Sequence, residues 1–144
     1  MDNSEYVPVT AAIIRKDNKV LIAKRKRALM GSPWEFPGGK AENNETLQEC
    51  LKRELYEELG IEVEVGAFLC SHKHVLNCKS AIHLYAYEVT HLSGEFQLMD
   101  HEEIRWVAVD ELERYNFPDA DRMIIKFLLS GGMGGKSGIK GLQD

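Results

Sequence analysis

Glu54, Glu57 and Glu58 stand at i, i+3 and i+4 in the run Arg53-Glu54-Leu55-Tyr56-Glu57-Glu58. On a helix of 3.6 residues per turn, that spacing gathers three carboxylates on one face, within an arc of about 100°. Like charges so close repel one another, so the arrangement is costly unless a cation sits among them. An all-oxygen ligand set of this kind suits a hard divalent ion such as Mg2+ or Mn2+. Taken alone, the same three residues also describe a solvated acidic face on a surface helix.

The neighbouring residues separate these two readings. Gly39 is followed after five residues by Glu45, then after seven by Arg53-Glu54-Leu55, and then by Glu57-Glu58 and Gly60-Ile61. This pattern resembles the signature box of the Nudix hydrolases, with all nine fixed positions filled across the 23 residues from Gly39 to Ile61. The resemblance implies an enzyme that cleaves a nucleoside diphosphate linked to another group, using Mg2+ or Mn2+. It implies Glu54, Glu57 and Glu58 as metal ligands, with the Gly38 carbonyl as a further oxygen donor. Glycine at 38 and 39 agrees with that role, because the backbone itself must approach the ion and the turn favours a residue free to take positive φ.

Arg53 has two readings, a catalytic cation or a fork that fixes the carboxylate of Glu45 or Glu57 by paired hydrogen bonds. The general base is also open. Glu54 is one candidate; the family often supplies another carboxylate from a late strand or loop. In the run Asp100-His101-Glu102-Glu103-Ile104-Arg105-Trp106, the resemblance points to Glu102, with Glu103 as a one-residue slip. The same residues also describe an exposed acidic turn.

Trp34-Glu35-Phe36-Pro37-Gly38-Gly39-Lys40 resembles the MutT-like branch, which converts nucleoside triphosphates to monophosphate and pyrophosphate. That likeness implies substrate contacts from Arg25 and Phe36, and a base-reading residue at Asp121. An aspartate there points to a base with an exocyclic amino group, as in CTP or an oxidised nucleotide such as 8-oxo-dGTP, since an ionised carboxylate only accepts hydrogen bonds. Asp119 or Asp121 could equally cap the last helix. The alternatives are another Nudix substrate (ADP-ribose, a nucleotide sugar or a dinucleoside polyphosphate) or a non-catalytic nucleotide sensor. His72 and His74 share a strand face but lack a third ligand nearby, so they do not define a zinc site.

The elements that must position these residues are legible in the patterning. Val7 to Arg15 and Val20 to Lys24 read as two strands joined by the turn Asp17-Asn18-Lys19. Lys24 to Arg27 forms a basic stretch leading into a loop, and Trp34 to Phe36 is short and extended before Pro37. Thr46 with Glu49 makes a capping box, Leu47, Leu51, Leu55 and Leu59 give a core stripe, and Gly60 stops the helix. Strands are expected at 61–70, 80–90 and 104–109, with an added extended piece at Glu95 to Leu98. A helical turn at 110–114 and a closing helix at 120–129 complete the order. Strands on both sides of one central helix, with another helix at the end, give an α/β protein, an α/β/α sandwich with a mixed sheet. The Nudix resemblance implies the same.

At 144 residues the chain is one domain, expected over residues 1–130, long enough to bury a core. Residues 131–144 hold six glycines and read as a flexible tail. Charged residues at 28% and hydrophobic ones at 44% exclude a disordered chain. A net charge of -5 argues against a general surface for duplex nucleic acid; a nucleotide partner is what the Nudix resemblance implies. Three cysteines without a CxxC pair suit reduced thiols, and the chain shows neither an apolar run of membrane length nor a signal-peptide start. The expectation is a cytoplasmic monomer or homodimer.

Overall fold

The computed structural model describes residues 6–29 and 31–131, and the expected tail from residue 132 onward lies outside them. Six strands and two α-helices follow one another: β1 Tyr6–Lys16, β2 Lys19–Leu29, β3 Ser32–Glu35, α1 Leu47–Leu59, β4 Glu62–Asn77, β5 Ser80–Ser93, β6 His101–Ala108 and α2 Asp119–Leu129. A 3-10 turn at Val109–Arg114 links β6 to α2.

Asp17 and Asn18 both take positive φ, 53° and 68°, which lets a two-residue turn join β1 to β2 with Lys16 opposite Lys19. β1 pairs in parallel with β5 over nine residues, and β4 pairs antiparallel with β5. β2 pairs antiparallel with β6 from Lys19 to Arg25 and with β3 from Ala23 to Leu29, so at Ala23 and Lys24 it has a partner on each edge. The sheet is therefore mixed, as the order of elements implied.

β1 explains the two layers. Its run Ala11-Ala12-Ile13-Ile14 is buried throughout, because odd and even residues face opposite helices. Ala11 and Ile13 join Phe36, Phe117, Ile124 and Leu128 under α2. Ala12 and Ile14 join Leu51, Leu55, Leu59 and Ile61 under α1. This is an α/β/α sandwich.

α1 begins and ends as its sequence dictates. The Thr46 hydroxyl accepts from the Glu49 N–H at 3.0 Å while the Glu49 carboxylate accepts from the Thr46 N–H at 2.9 Å. Gly60 closes it in the left-handed region with φ 68°. Several expectations change: β4 runs on to Asn77 and β6 begins at His101, where strands were expected at 61–70 and 104–109. β2 extends through the basic stretch, with its pairing to β6 shifted between Lys24 and Arg25. Glu95 to Leu98 does not join the sheet. Instead the Gln97 and Met99 N–H groups donate to the carbonyls of Leu59 and Glu58 at 2.8 and 3.2 Å. Those carbonyls lie in the last turn of α1 and have no helical partner, so the segment satisfies the helix end rather than a strand edge.

Among the described residues no helix is long and apolar enough to cross a membrane.

Candidate active site

The site lies where the middle and last turn of α1 meet the loop after β3. That loop is fastened along β1: Thr10 N–H donates to the Gly39 carbonyl and Ala12 N–H to that of Pro37, both at 2.8 Å, and Ala41 N–H donates to Pro8 at 3.0 Å. Gly38 has φ 152°, and a Cβ there would stand 2.1 Å from the Thr10 carbonyl oxygen. A Cβ on Gly39 would stand 2.5 Å from the Glu54 carboxyl carbon. Only a bare backbone lets the loop lie this close to both the strand and the helix carboxylate.

Arg53 organises the exposed side of the cluster. Its Nε donates to Glu45 Oε2 at 2.6 Å and its Nη2 to Glu45 Oε1 at 3.1 Å, a bidentate pair. Nη1 reaches Glu54 and Glu57, each at 3.1 Å, and Nη2 also reaches the Lys40 carbonyl at 3.1 Å. Held by this guanidinium, the Glu45 carboxyl is pulled down to about 2, and Arg53 itself is pushed upward. The fork onto Glu45 is the geometry of an orienting residue.

Glu58 points the other way, into the protein. It is buried, and its Oε1 has no hydrogen-bond partner among the described residues. Burial, with Glu54 and Glu35 close by, pushes its carboxyl up to about 9. A carboxylate placed at such cost, with an oxygen left unpaired, fits a cation-binding role. The donor set agrees, since Glu54, Glu57 and Glu58 offer the oxygen atoms a hard divalent ion takes, beside the Gly38-Gly39 backbone.

The other expected residues fall in several places. The Arg25 Nη1 contacts both oxygens of Glu35, at 3.1 and 3.0 Å. The Phe36 ring is buried and stacked on Phe117, centroids 5.1 Å apart, while its N–H donates to Asp121 Oδ2 at 3.3 Å. Neither Asp119 nor Asp121 caps α2: Pro118 holds that position without a side-chain hydrogen bond. Asp121 is pushed up to about 7 by burial and by Glu35.

Glu102 is half-exposed and paired with Lys24 at 3.2 Å, and Glu103 is engaged by Arg105. The residue of that run that reaches the carboxylates is His101. It is almost fully buried, with Nε2 2.8 Å from Glu35 Oε2. Ligand atoms of Glu35, Glu58 and His101 all lie within 4.8 Å of one another. The sequence reading passed over both Glu35 and His101. Strand alternation offered a signal for the first, since Trp34 and Phe36 are core residues and Glu35 must face the opposite way. His72 and His74 have ring centroids 5.9 Å apart and join no such group among the described residues.

Comparison with known proteins shows the family. The model of the NUDIX domain matches residues 9–127. The chain is 36% identical over 127 residues to the CTP pyrophosphohydrolase of Escherichia coli, covering 88% of this chain and 93% of that one. It is 35% identical to the 8-oxo-dGTP diphosphatase of Buchnera aphidicola, covering 84% and 92%. Its fold is similar to that of a MutT NUDIX hydrolase from Burkholderia pseudomallei, with TM-score 0.75, 31% identity, and 83% and 95% of the chains covered. The chain belongs to the Nudix family and is a hydrolase of its MutT-like, nucleotide-cleaving kind.

Proposed function

We propose that the chain hydrolyses nucleoside triphosphates whose base carries an exocyclic amino group, with CTP and oxidised nucleotides such as 8-oxo-dGTP as the leading substrates. Water adds across the bond between the α and β phosphates, and the products are the nucleoside monophosphate and pyrophosphate. The single observation that carries this reading is Glu58, buried with an unpaired oxygen within the Nudix helix. The relatives named for CTP and 8-oxo-dGTP support the substrate class.

Glu54, Glu57, Glu58 and the Gly38 carbonyl would hold Mg2+ or Mn2+. A divalent ion held there supplies charge neutralisation for the triphosphate and a more acidic water at neutral pH. Arg53 fixes Glu54 and Glu57 while its fork to Glu45 fixes Arg53 in turn. Glu54, packed against Gly39, is the first candidate for the base that takes a proton from the attacking water. Glu102 is the second candidate and would act only after leaving Lys24. Arg25 stands near the metal carboxylates through Glu35 and offers its remaining N–H groups to a phosphate.

Asp121 reads the base. Near neutral pH its carboxyl exchanges between a protonated form that donates and accepts and an ionised form that only accepts. Phe36 acts here through its backbone, whose N–H orients the Asp121 carboxyl.

Replacing Glu57 with Gln tests the reading. Glu57 is exposed, so the fold should persist, while kcat for pyrophosphate release falls by orders of magnitude. Undiminished turnover would remove the assignment.

A further inference from the structure

Glu58 Oε1 is buried without a hydrogen-bond partner among the described residues, and Glu58 belongs to a cluster with Glu35 and His101. Buried polar atoms are nearly always satisfied, so this one requires an explanation. His101 is 1% exposed, and its Nε2 faces Glu35, which Arg25 contacts from β2.

We propose that Glu35, Glu58 and His101 form a second cation site, of mixed carboxylate and imidazole character, which shares Glu58 with the α1 carboxylates and takes a divalent first-row transition ion in preference to Mg2+. It deepens the reading above, on which it rests for the role of Glu58. Three elements converge on the site: β3 supplies Glu35, α1 supplies Glu58 and β6 supplies His101. Their ligand atoms are already within 4.8 Å of one another, so a shared ion needs no large rearrangement.

The charge balance agrees. Glu35, Glu45, Glu54, Glu57 and Glu58, once ionised, face Arg25 and Arg53, and five negative charges against two positive ones leave an excess that favours a cation. A carboxylate has about four lone-pair sites, so Glu35 can keep its Arg25 contacts and still bind an ion. The ion replaces the hydrogen bond between His101 and Glu35, with neutral imidazole as the ligand. Selectivity follows from that nitrogen: Mg2+ favours carboxylate, carbonyl and water oxygens, whereas imidazole suits the later first-row ions.

The test uses Mn2+ alone, without nucleotide, on the full chain. Electron spin-echo spectroscopy should show nitrogen modulation from a bound imidazole, and the modulation should disappear in His101→Gln. The same variant should bind Mn2+ at least about tenfold more weakly while its Mg2+ affinity changes much less. A His72→Gln/His74→Gln variant should keep the modulation, which excludes those two rings as its source, and the retained Mg2+ affinity shows that His101→Gln still folds. Absence of nitrogen modulation in the unaltered protein, or its survival in His101→Gln, would overturn the site. Pyrophosphate release with Mg2+ in the unaltered protein separates the outcomes: release without nitrogen coupling defeats only this site, and coupling without release defeats only the hydrolase reading.

Discussion

Arg53 and Glu45, eight positions apart in sequence, meet through two hydrogen bonds between the loop and the middle of α1, Nε to Oε2 at 2.6 Å and Nη2 to Oε1 at 3.1 Å. The pair ties the Gly38-Gly39 loop region to the helix that carries Glu54, Glu57 and Glu58. Arg53→Lys keeps the charge and loses the fork, so kcat should fall by about ten- to a hundredfold with only a small drop in Tm. Steady-state kinetics beside a melting curve would check this; a large fall in Tm would make the pair a stability element instead.

Glu45 also gives a pH expectation. Its folded carboxyl is lowered to about 2 from an ordinary value of 4.5, so its contribution to stability is present above 4.5 and is lost as pH falls toward 2. Glu45→Gln should therefore lose less stability than the unaltered chain between pH 4.5 and 2. Acid unfolding followed by circular dichroism measures the difference.

Glu58 has the opposite sign. Its carboxyl is raised to about 9, so the cation-free fold holds a proton that the unfolded chain releases above about 4.5. Stability without metal should fall as pH rises from 4.5 to 9, and Glu58→Gln should flatten that slope. At pH 8.5 in a chelator the variant should be the more stable, by a margin on the order of 1–3 kcal/mol. Binding of a divalent ion to the unaltered protein should release protons at pH 7 to 8, which calorimetry in two buffers of different ionisation enthalpy detects.

Gly39→Ala and Gly38→Ala should fail differently. The methyl group added at Gly39 meets the end of a side chain, Glu54, which can swing away, so kcat falls while the fold survives. The methyl group added at Gly38 meets the Thr10 backbone at 2.1 Å with φ at 152°, so the fold loses well over about 1 kcal/mol. Equal Tm values for the two variants would contradict this account of the loop.

Asp121→Asn should alter which base is preferred. In the unaltered protein the ratio of kcat/KM for CTP over UTP should change between pH 6 and 8, as the carboxyl near 7 loses its proton. In the variant that ratio should be flat with pH. A variant that slows all bases equally would return Asp121 to a structural role.

Much of this was written in local sequence. The α1 boundaries, its capping box and its leucine stripe depend on residues within a few positions of each other, and so did the grouping of the three glutamates. Long-range placement was less visible. The shifted pairing at Lys24 and Arg25 decides which residues of the run from Asp100 to Trp106 face inward, and nothing in that acidic run signals the shift. The family pattern drew attention to Glu102, whereas folding buries its neighbour His101 against Glu35, 66 residues away. Glu95 to Leu98 looked like a strand because it is extended, but its partners are helix-end carbonyls rather than a sheet edge.

The most direct measurement is the identity of the products. CTP incubated with the protein and Mg2+, followed by phosphorus NMR, should give CMP and pyrophosphate in equal amounts, with no signal in a chelator. Appearance of CDP with orthophosphate, or persistence of CTP in the presence of both Mg2+ and Mn2+, would contradict the account.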